Sequence, residues 1–225
     1  MSNKNPSLHI FNRYRYLAKE YYSGKIFIAF DTETTGIKSS TDFLIEIGAV
    51  KFSCDGIIDK PFSALIKPPV PITNFIENLT HITNEMVENQ PEAKHAVTDF
   101  LSYIGNEKSI LIAHNAPFDL GFLQAQLERM SFPCLKNMCI DTLPLSQWAY
   151  PKLRNLEEKG KYTLQSLAKR FGIKVESAHR ACDDARVCME LFKKIIQDTL
   201  SVQKDYNIHS QEGMLLQKDI QLSLF

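Results

Sequence analysis

The sequence predicts an α/β fold, a mixed β-sheet flanked by helices, on three observations. The apolar run that follows Lys25 and ends at Phe30 reads as a buried strand. Residues 43–52 and 57–66 read as two further strands, joined at the hairpin-like turn Cys54-Asp55-Gly56. After these, short apolar strands alternate with helical patterns to about residue 198.

Taken in order, residues 1–24 form a short, partly helical lead-in. The strands of 25–66 follow, and Pro68, Pro69 and Pro71 then break the chain. Residues 92–104 have helical character, and 109–114 form another short buried strand. Over 117–130, Leu120, Leu123, Leu127 and Met130 fall on one side of an amphipathic helix. Residues 138–141 read as a short strand, and 164–171 as a helix ended by Gly172. A long helix spans 180–198. Beyond about 200 the segment is polar without an apolar stripe, which reads as a flexible tail. The organisation is thus a lead-in over 1–24, a principal domain over 25–199 and a tail over 200–225, with no repeats.

The 225 residues suffice for one well-cored domain, and 44% hydrophobic with 23% charged residues is ordinary globular composition. Lys+Arg and Asp+Glu both number 26. Proteins that coat long nucleic acid carry a basic excess, so neutrality argues against broad backbone coating while leaving room for an enzyme that grips a chain end. The five cysteines, Cys54, Cys134, Cys139, Cys182 and Cys188, form no CxxC pair, which argues against a disulfide framework or structural zinc. Reduced thiols, no run near the roughly 20 apolar residues of a membrane span, and no signal-peptide pattern lead to a cytoplasmic expectation.

Four acids and one histidine stand apart. Asp31 and Glu33, in Phe30-Asp-Thr-Glu-Thr-Thr-Gly36, are two apart and project from one face at the end of the first strand. Like charges held together are costly unless a cation lies between them; an exposed acidic turn is an equal reading of Asp-x-Glu alone. Asp119, in His114-Asn-Ala-Pro-Phe-Asp119, sits near a helix N-terminus, because Pro117 suits a first helical turn. The helix dipole alone would account for it. Asp184 falls within the apolar stripe Ala181, Cys188, Leu191, Ile195, where a carboxylate needs a partner. A buried salt bridge is the plainer alternative. Its neighbour Asp183 points away from the stripe and is expected to be solvated. His179 lies five residues before Asp184, too far round for one helix face, so it reaches the site from the loop or the first turn. A histidine beside carboxylate-bound metal is a candidate general base.

Together these residues resemble the DEDDh group of DnaQ-like 3′–5′ exonucleases, which have an RNase H-like fold. Asp31-Thr-Glu33 with its following Thr-Thr-Gly matches the first motif, His114-Asn-x-x-Phe-Asp119 the second, and His179-(four residues)-Asp184 the third in its histidine form. Leu44-Ile-Glu-Ile-Gly-Ala-Val50 is similar to the family's second strand, and Ile140-Asp-Thr-Leu143 to its Asp-Thr-Leu segment. The match covers roughly residues 25–198. One departure is His81 in Leu79-Thr-His-Ile-Thr83, where the family carries Gly and a tight turn.

The resemblance implies two-metal hydrolysis with cations about 3.5–4 Å apart. Hard oxygen ligands favour Mg²⁺ or Mn²⁺. It implies that Asp31 bridges both ions, that Glu33 and Asp184 hold the first, and that Asp119 supports the second through water. His179 takes the proton of the attacking water. Thr34, Thr35, His114 and Phe118 are placed to contact the terminal nucleotide, with core packing an equal reading of Phe118; Thr80 and Phe75 are further expected substrate contacts. Rivals are an RNA-trimming enzyme of the RNase T or oligoribonuclease type and a non-catalytic nucleic-acid-binding scaffold; the scaffold predicts eroded ligands, yet all five positions are filled.

The last five residues, Gln221, Leu222, Ser223, Leu224 and Phe225, resemble the pentapeptide by which bacterial replication proteins dock on the sliding clamp. Three apolar anchors on a polar tail suit burial in a partner's pocket; folding back on the chain's own domain is the alternative. Tethering would raise local concentration without a basic surface. The expected substrate is therefore the 3′ end of single-stranded or frayed DNA, in proofreading or repair of the kind done by the epsilon subunit of DNA polymerase III. In that family the clamp motif is often followed by a polymerase-binding segment. Here it ends the sequence, so docking on a replicative polymerase subunit and clamp-bound action alone both stay open.

Overall fold

The computed structural model describes residue 10 and residues 13–210. Most of the first half of the expected lead-in, and residues 211–225 with the clamp-like pentapeptide, lie outside the described residues. Among the described residues six strands form one sheet: β1 (Phe27–Thr34), β2 (Leu44–Ser53), β3 (Gly56–Ile57), β4 (Phe62–Leu65), β5 (Ile110–Ala113) and β6 (Cys139–Asp141). The order is β3-β2-β1-β5-β6, with β4 also on β2. β1 is antiparallel to β2 and parallel to β5, which is parallel to β6. This is the expected mixed α/β sheet.

The helices are α1 (Leu17–Tyr22), α2 (Asn74–Thr80), α3 (Asn84–Glu88), α4 (Ala93–Ile104), α5 (Ala116–Arg129), α6 (Thr142–Ala149), α7 (Leu164–Phe171) and α8 (Ala181–Ser210). α7 ends where Gly172 adopts φ 67, the left-handed cap that glycine supplies without strain. α8 runs on past the expected end at 198, so the boundary expected at 199 falls inside a helix. The strand expected over 57–66 is two strands, β3 and β4, both on β2. Pro61 lies in the gap between them and has no N–H to donate to a ladder.

Alternation along β1 assigns its two faces. Phe27 and Ala29 pack with Val187, Leu191, Phe192 and Ile195 of α8, whereas Ile28 and Phe30 pack with Phe100 of α4 and Leu123 of α5. Phe27, Phe30, Phe52, Phe100 and Phe192 are fully buried. Each contributes roughly 1.5–3 kcal/mol of transfer free energy. A core of this kind can carry a cluster of carboxylates that itself opposes folding. Asp31 and Glu33 continue the parity of Phe27 and Ala29 and face α8. The N-terminal turn of α8 lies directly on β2 at Gly48, where any Cβ would collide with the backbone of Ala181 and Cys182. That glycine sets the distance between the sheet and the helix that carries Asp184.

Candidate active site

β1 does not end at Phe30. Its backbone stays paired with β2 through Asp31↔Gly48 and Glu33↔Glu46, so both acids stand within a strand rather than after it. Pairing with β5, in contrast, covers only Phe27, Ile28 and Ala29. Beyond that point the β5-side edge of β1 is open, and the backbone groups there need other partners. Asp119 supplies one. From the first turn of α5 its Oδ1 accepts the Thr32 amide at 3.0 Å and the Thr32 hydroxyl at 2.7 Å. The carboxylate is 2% exposed.

The start of α5 is itself pinned. Asn115 turns the chain at φ 68, and its amide donates to Asp141 at 3.0 Å. Asp141 also caps α6 through the Leu143 amide at 2.9 Å. The Asp-Thr-Leu segment therefore holds the turn that aims Asp119.

Asp184 enters from the first turn of α8 and is 6% exposed. Gln165 of α7 donates to its Oδ1 at 2.8 Å, and the His179 amide donates to its Oδ2 at 3.1 Å. His179 lies in the loop before α8 at φ 61, as its five-residue offset from Asp184 requires. Glu33, His179 and Asp184 each bring a donor atom within 4.8 Å of the other two.

Electrostatics mark the cluster. Burial raises Asp31 well above the ordinary carboxylate range, and Asp119, Glu33, Asp184 and Glu46 add to it. Burial, then Asp184, Glu46 and Asp119, push Glu33 up to about 8, with Arg180 opposing. Burial raises Asp119 against the two Thr32 hydrogen bonds, and raises Asp184 against Gln165 and the His179 amide. Four carboxyls that all resist ionisation in one place form a donor set that external cations would relieve.

The other expected contacts divide. Thr34 is buried and its hydroxyl donates to the Gly36 carbonyl at 2.5 Å; the Thr35 hydroxyl accepts the Phe43 amide at 3.0 Å. Both hydroxyls thus shape the 34–43 turn. His114 bridges the Thr142 hydroxyl and the Tyr162 carbonyl, each at 2.9 Å. A carbonyl can only accept, so Nε2 carries the proton. Burial pushes the ring down to about 4 and so favours its neutral form. Both nitrogens of His114 are thereby committed within the protein. Phe118 is half-buried against Phe122, with ring centroids 5.0 Å apart. Thr80 is 1% exposed; its hydroxyl donates to Ile76 and accepts the Ile82 amide, whereas Phe75 of the same helix is 75% exposed. His81 takes φ 58, the left-handed turn that a glycine would adopt there.

Asp183 is not solvated. Its Oδ2 accepts the amides of Glu176 and Ser177, both at 2.7 Å, and its Oδ1 accepts from Arg186. Burial raises its pKa, but the Ser177 amide, Arg186 and the Glu176 amide outweigh burial and hold it below the usual range. The apolar pattern correctly placed it off the stripe, but not the loop that folds onto it. Sequence reasoning also missed Thr32, Gln165 and Glu46. Glu46 alone carried a signal, as a charge inside the otherwise apolar strand 44–50.

The RNase T exonuclease family model matches residues 28–192. The chain belongs to this exonuclease family. It is 45% identical over 170 residues to the DNA polymerase III subunit epsilon of Treponema pallidum, covering 76% of each chain. It is 43% identical over 167 residues to the PolC-type DNA polymerase III of Clostridium perfringens, covering 74% of this chain but 11% of that polymerase. Escherichia coli exonuclease I in complex with a dT13 oligonucleotide superposes with TM-score 0.70 at 20% identity, over 83% of this chain and 44% of that one, which shows the shared fold. Exonuclease X in complex with 5′ overhanging duplex DNA gives TM-score 0.57 at 26% identity, over 76% and 91%. The fold is RNase H-like, and the family member is a DnaQ-like 3′–5′ exonuclease with a hydrolytic site.

Proposed function

We propose that this exonuclease is divalent-cation-dependent and removes nucleotides from the 3′ ends of DNA in proofreading or repair. The observation that carries the reading is the convergence of Glu33, His179 and Asp184 within 4.8 Å beside Asp31 and Asp119. The carboxylate oxygens are hard donors suited to Mg²⁺ or Mn²⁺, and the imidazole beside them is left to act on a proton. Asp31, Glu33, Asp119 and Asp184 would hold the ions. When bound, divalent ions supply an acidified water and stabilise the leaving oxygen.

This chain's residues supply the rest. His179, on a loop beside Glu33 and Asp184, takes the proton from the attacking water. Thr32 and Gln165 orient Asp119 and Asp184. The exposed ring of Phe75 and the half-buried ring of Phe118 offer apolar surface to the terminal nucleotide, and Thr34, Thr35, His114 and Thr80 support it by fixing the turns around it. The names of the similar polymerase subunits, and the DNA in the exonuclease I and X complexes, favour DNA over RNA. Among the described residues no helix is long and apolar enough to cross a membrane, and the cytoplasm is the proposed site of action. Residues 221–225 are assigned to a sliding clamp on their sequence alone, and a polymerase subunit is a second partner class.

The test is degradation of a 3′-mismatched primer–template and of an RNA oligonucleotide, with Mg²⁺ or EDTA, by wild type and Asp184→Ala. Mg²⁺-dependent laddering of DNA from the 3′ end, lost in the variant, is expected. Laddering of RNA alone would move the protein to RNA trimming, and no cleavage of either would leave a nucleic-acid-binding scaffold.

A further inference from the structure

The loop that carries His179 is gripped on both flanks by carboxylates that no step of the hydrolysis uses. On one flank Glu46 of β2 is fully buried, at 0% exposure. Its Oε1 accepts from Arg180 Nη2 at 2.8 Å, and its Oε2 accepts from Arg180 Nε at 3.2 Å and from the Ala181 amide at 3.0 Å. All three donors belong to the two residues that follow His179. On the other flank Asp183 takes the amides of Glu176 and Ser177, while Arg186, bound to its other oxygen, donates also to the Lys174 carbonyl at 2.5 Å. The segment 174–181 is therefore tied to β2 at one end and to α8 at the other, with His179 between the ties.

Three features make these ties more than packing. A carboxylate in the middle of a strand whose neighbours Leu44, Ile45, Ile47, Ala49 and Val50 are all buried is expensive to desolvate, and an apolar residue would cost less. His179 holds a left-handed backbone, φ 61, a conformation that persists in a β-carbon-bearing residue only where its surroundings over-determine it. Gly48, two residues from Glu46 on the same face of β2, removes the side chain that would keep the first turn of α8 off the strand. β2 is thus shaped as a seat for the His179 loop.

We propose that Glu46 is a positioning residue for His179, with Asp183 as the opposing anchor: the two carboxylates hold the strained loop so that the imidazole stands ready beside Glu33 and Asp184. This rests on the reading of His179 as the general base. A loosely held base loses rate through misplacement rather than through weaker substrate binding.

The experiment is a double-mutant cycle on the full chain: wild type, Glu46→Gln, His179→Ala and the double variant. Rates are measured on a short DNA oligonucleotide at saturating Mn²⁺, with Mn²⁺ affinity titrated directly on each protein. Glu46→Gln should lower kcat by about 10–100-fold with KM and Mn²⁺ affinity unchanged. In the His179→Ala background the same change should cost less than about twofold. An equal loss in both backgrounds, a loss of Mn²⁺ affinity, or a wild-type rate in Glu46→Gln would each overturn the inference while leaving the general base in place. A wild-type rate in His179→Ala would instead remove the general base, and the inference with it. Should Glu46→Gln fail to fold, Asp183→Asn in the same cycle decides by the same criteria.

Discussion

Thr32 and Asp119 are joined by two hydrogen bonds to one oxygen: the Thr32 amide and hydroxyl both donate to Oδ1 of Asp119, at 3.0 and 2.7 Å. The join closes the edge that β1 opens where β5 stops pairing with it. It also commits one of the two carboxylate oxygens to the protein. Thr32→Val keeps the side-chain volume and the amide bond but removes the hydroxyl. A hydrogen bond to a charged group is worth about 1.5–3 kcal/mol. The variant should therefore fold and bind Mn²⁺ roughly tenfold more weakly or worse. Calorimetric Mn²⁺ titration checks this, and unchanged affinity would detach Thr32 from the site.

The carboxylate cluster sets the sign of a pH effect on the metal-free protein. Glu33 titrates near 8 in the folded chain, against the usual carboxylate range when unfolded, and Asp31, Asp119 and Asp184 shift the same way. A folded state that holds its protons more tightly loses stability as they leave. In EDTA, Tm should fall as pH rises from about 4.5 to about 8. Saturating Mg²⁺ should raise Tm most at the alkaline end, where protons compete least with the cation for the carboxylates and cation binding adds its own stabilisation. A Tm in EDTA that is flat or rising over that window would contradict the crowded cluster.

What the sequence disclosed and what it hid divide by range. Asp31, Glu33, Asp119, His179 and Asp184 were legible as candidates because each sits in a short local pattern: after an apolar run, in the first turn of a helix, or in the loop before one. The groups that aim them were not: Thr32 acts on Asp119 across 87 residues, Gln165 on Asp184 across 19, and Glu46 on Ala181 across 135. Pairing between distant segments has no local signature. The same reason ended β1 too early, since its apolar run stops at Phe30 while its backbone ladder with β2 continues to Thr34. α2 and α3, of seven and five residues, are too short to show a period and are announced only by the caps Thr73 and Thr83. Thr80 was expected at the substrate, but its hydroxyl closes the end of α2.

Gly48→Ala isolates the seat of α8. A single methyl at that position would meet the Ala181 and Cys182 backbone rather than a flexible side chain, so the helix must move away from β2. Overpacking of this kind costs about 1–3 kcal/mol, and the displacement carries Asp184 and the His179 loop with it. The expected outcome is a folded protein with Tm lowered by several degrees and kcat reduced more than about 100-fold, because misplacing reacting groups by about 1 Å is that costly. Circular dichroism and steady-state rates on one preparation read both. Full activity at a lowered Tm would mean that the site tolerates a shift of α8.

Residues 221–225 include none of the candidate site residues, which makes the clamp assignment separable from the catalytic one. The pentapeptide offers Leu222, Leu224 and Phe225 as apolar anchors, and tethering by such a segment raises effective concentration at DNA without changing chemistry. Deletion of 221–225 should therefore leave kcat and KM on short oligonucleotides unchanged. On primer–template loaded with a bacterial sliding clamp, it should lower the rate at subsaturating enzyme, since tethering multiplies apparent affinity by about 10²–10⁴. Leu224→Ala with Phe225→Ala should reproduce the loss, because the proposal assigns the contact to the anchors rather than to the length of the tail. Surface-bound clamp gives the direct reading. Equal clamp affinity with and without the five residues would refute the assignment, and a fall in oligonucleotide turnover on deletion would place the segment on the exonuclease domain itself.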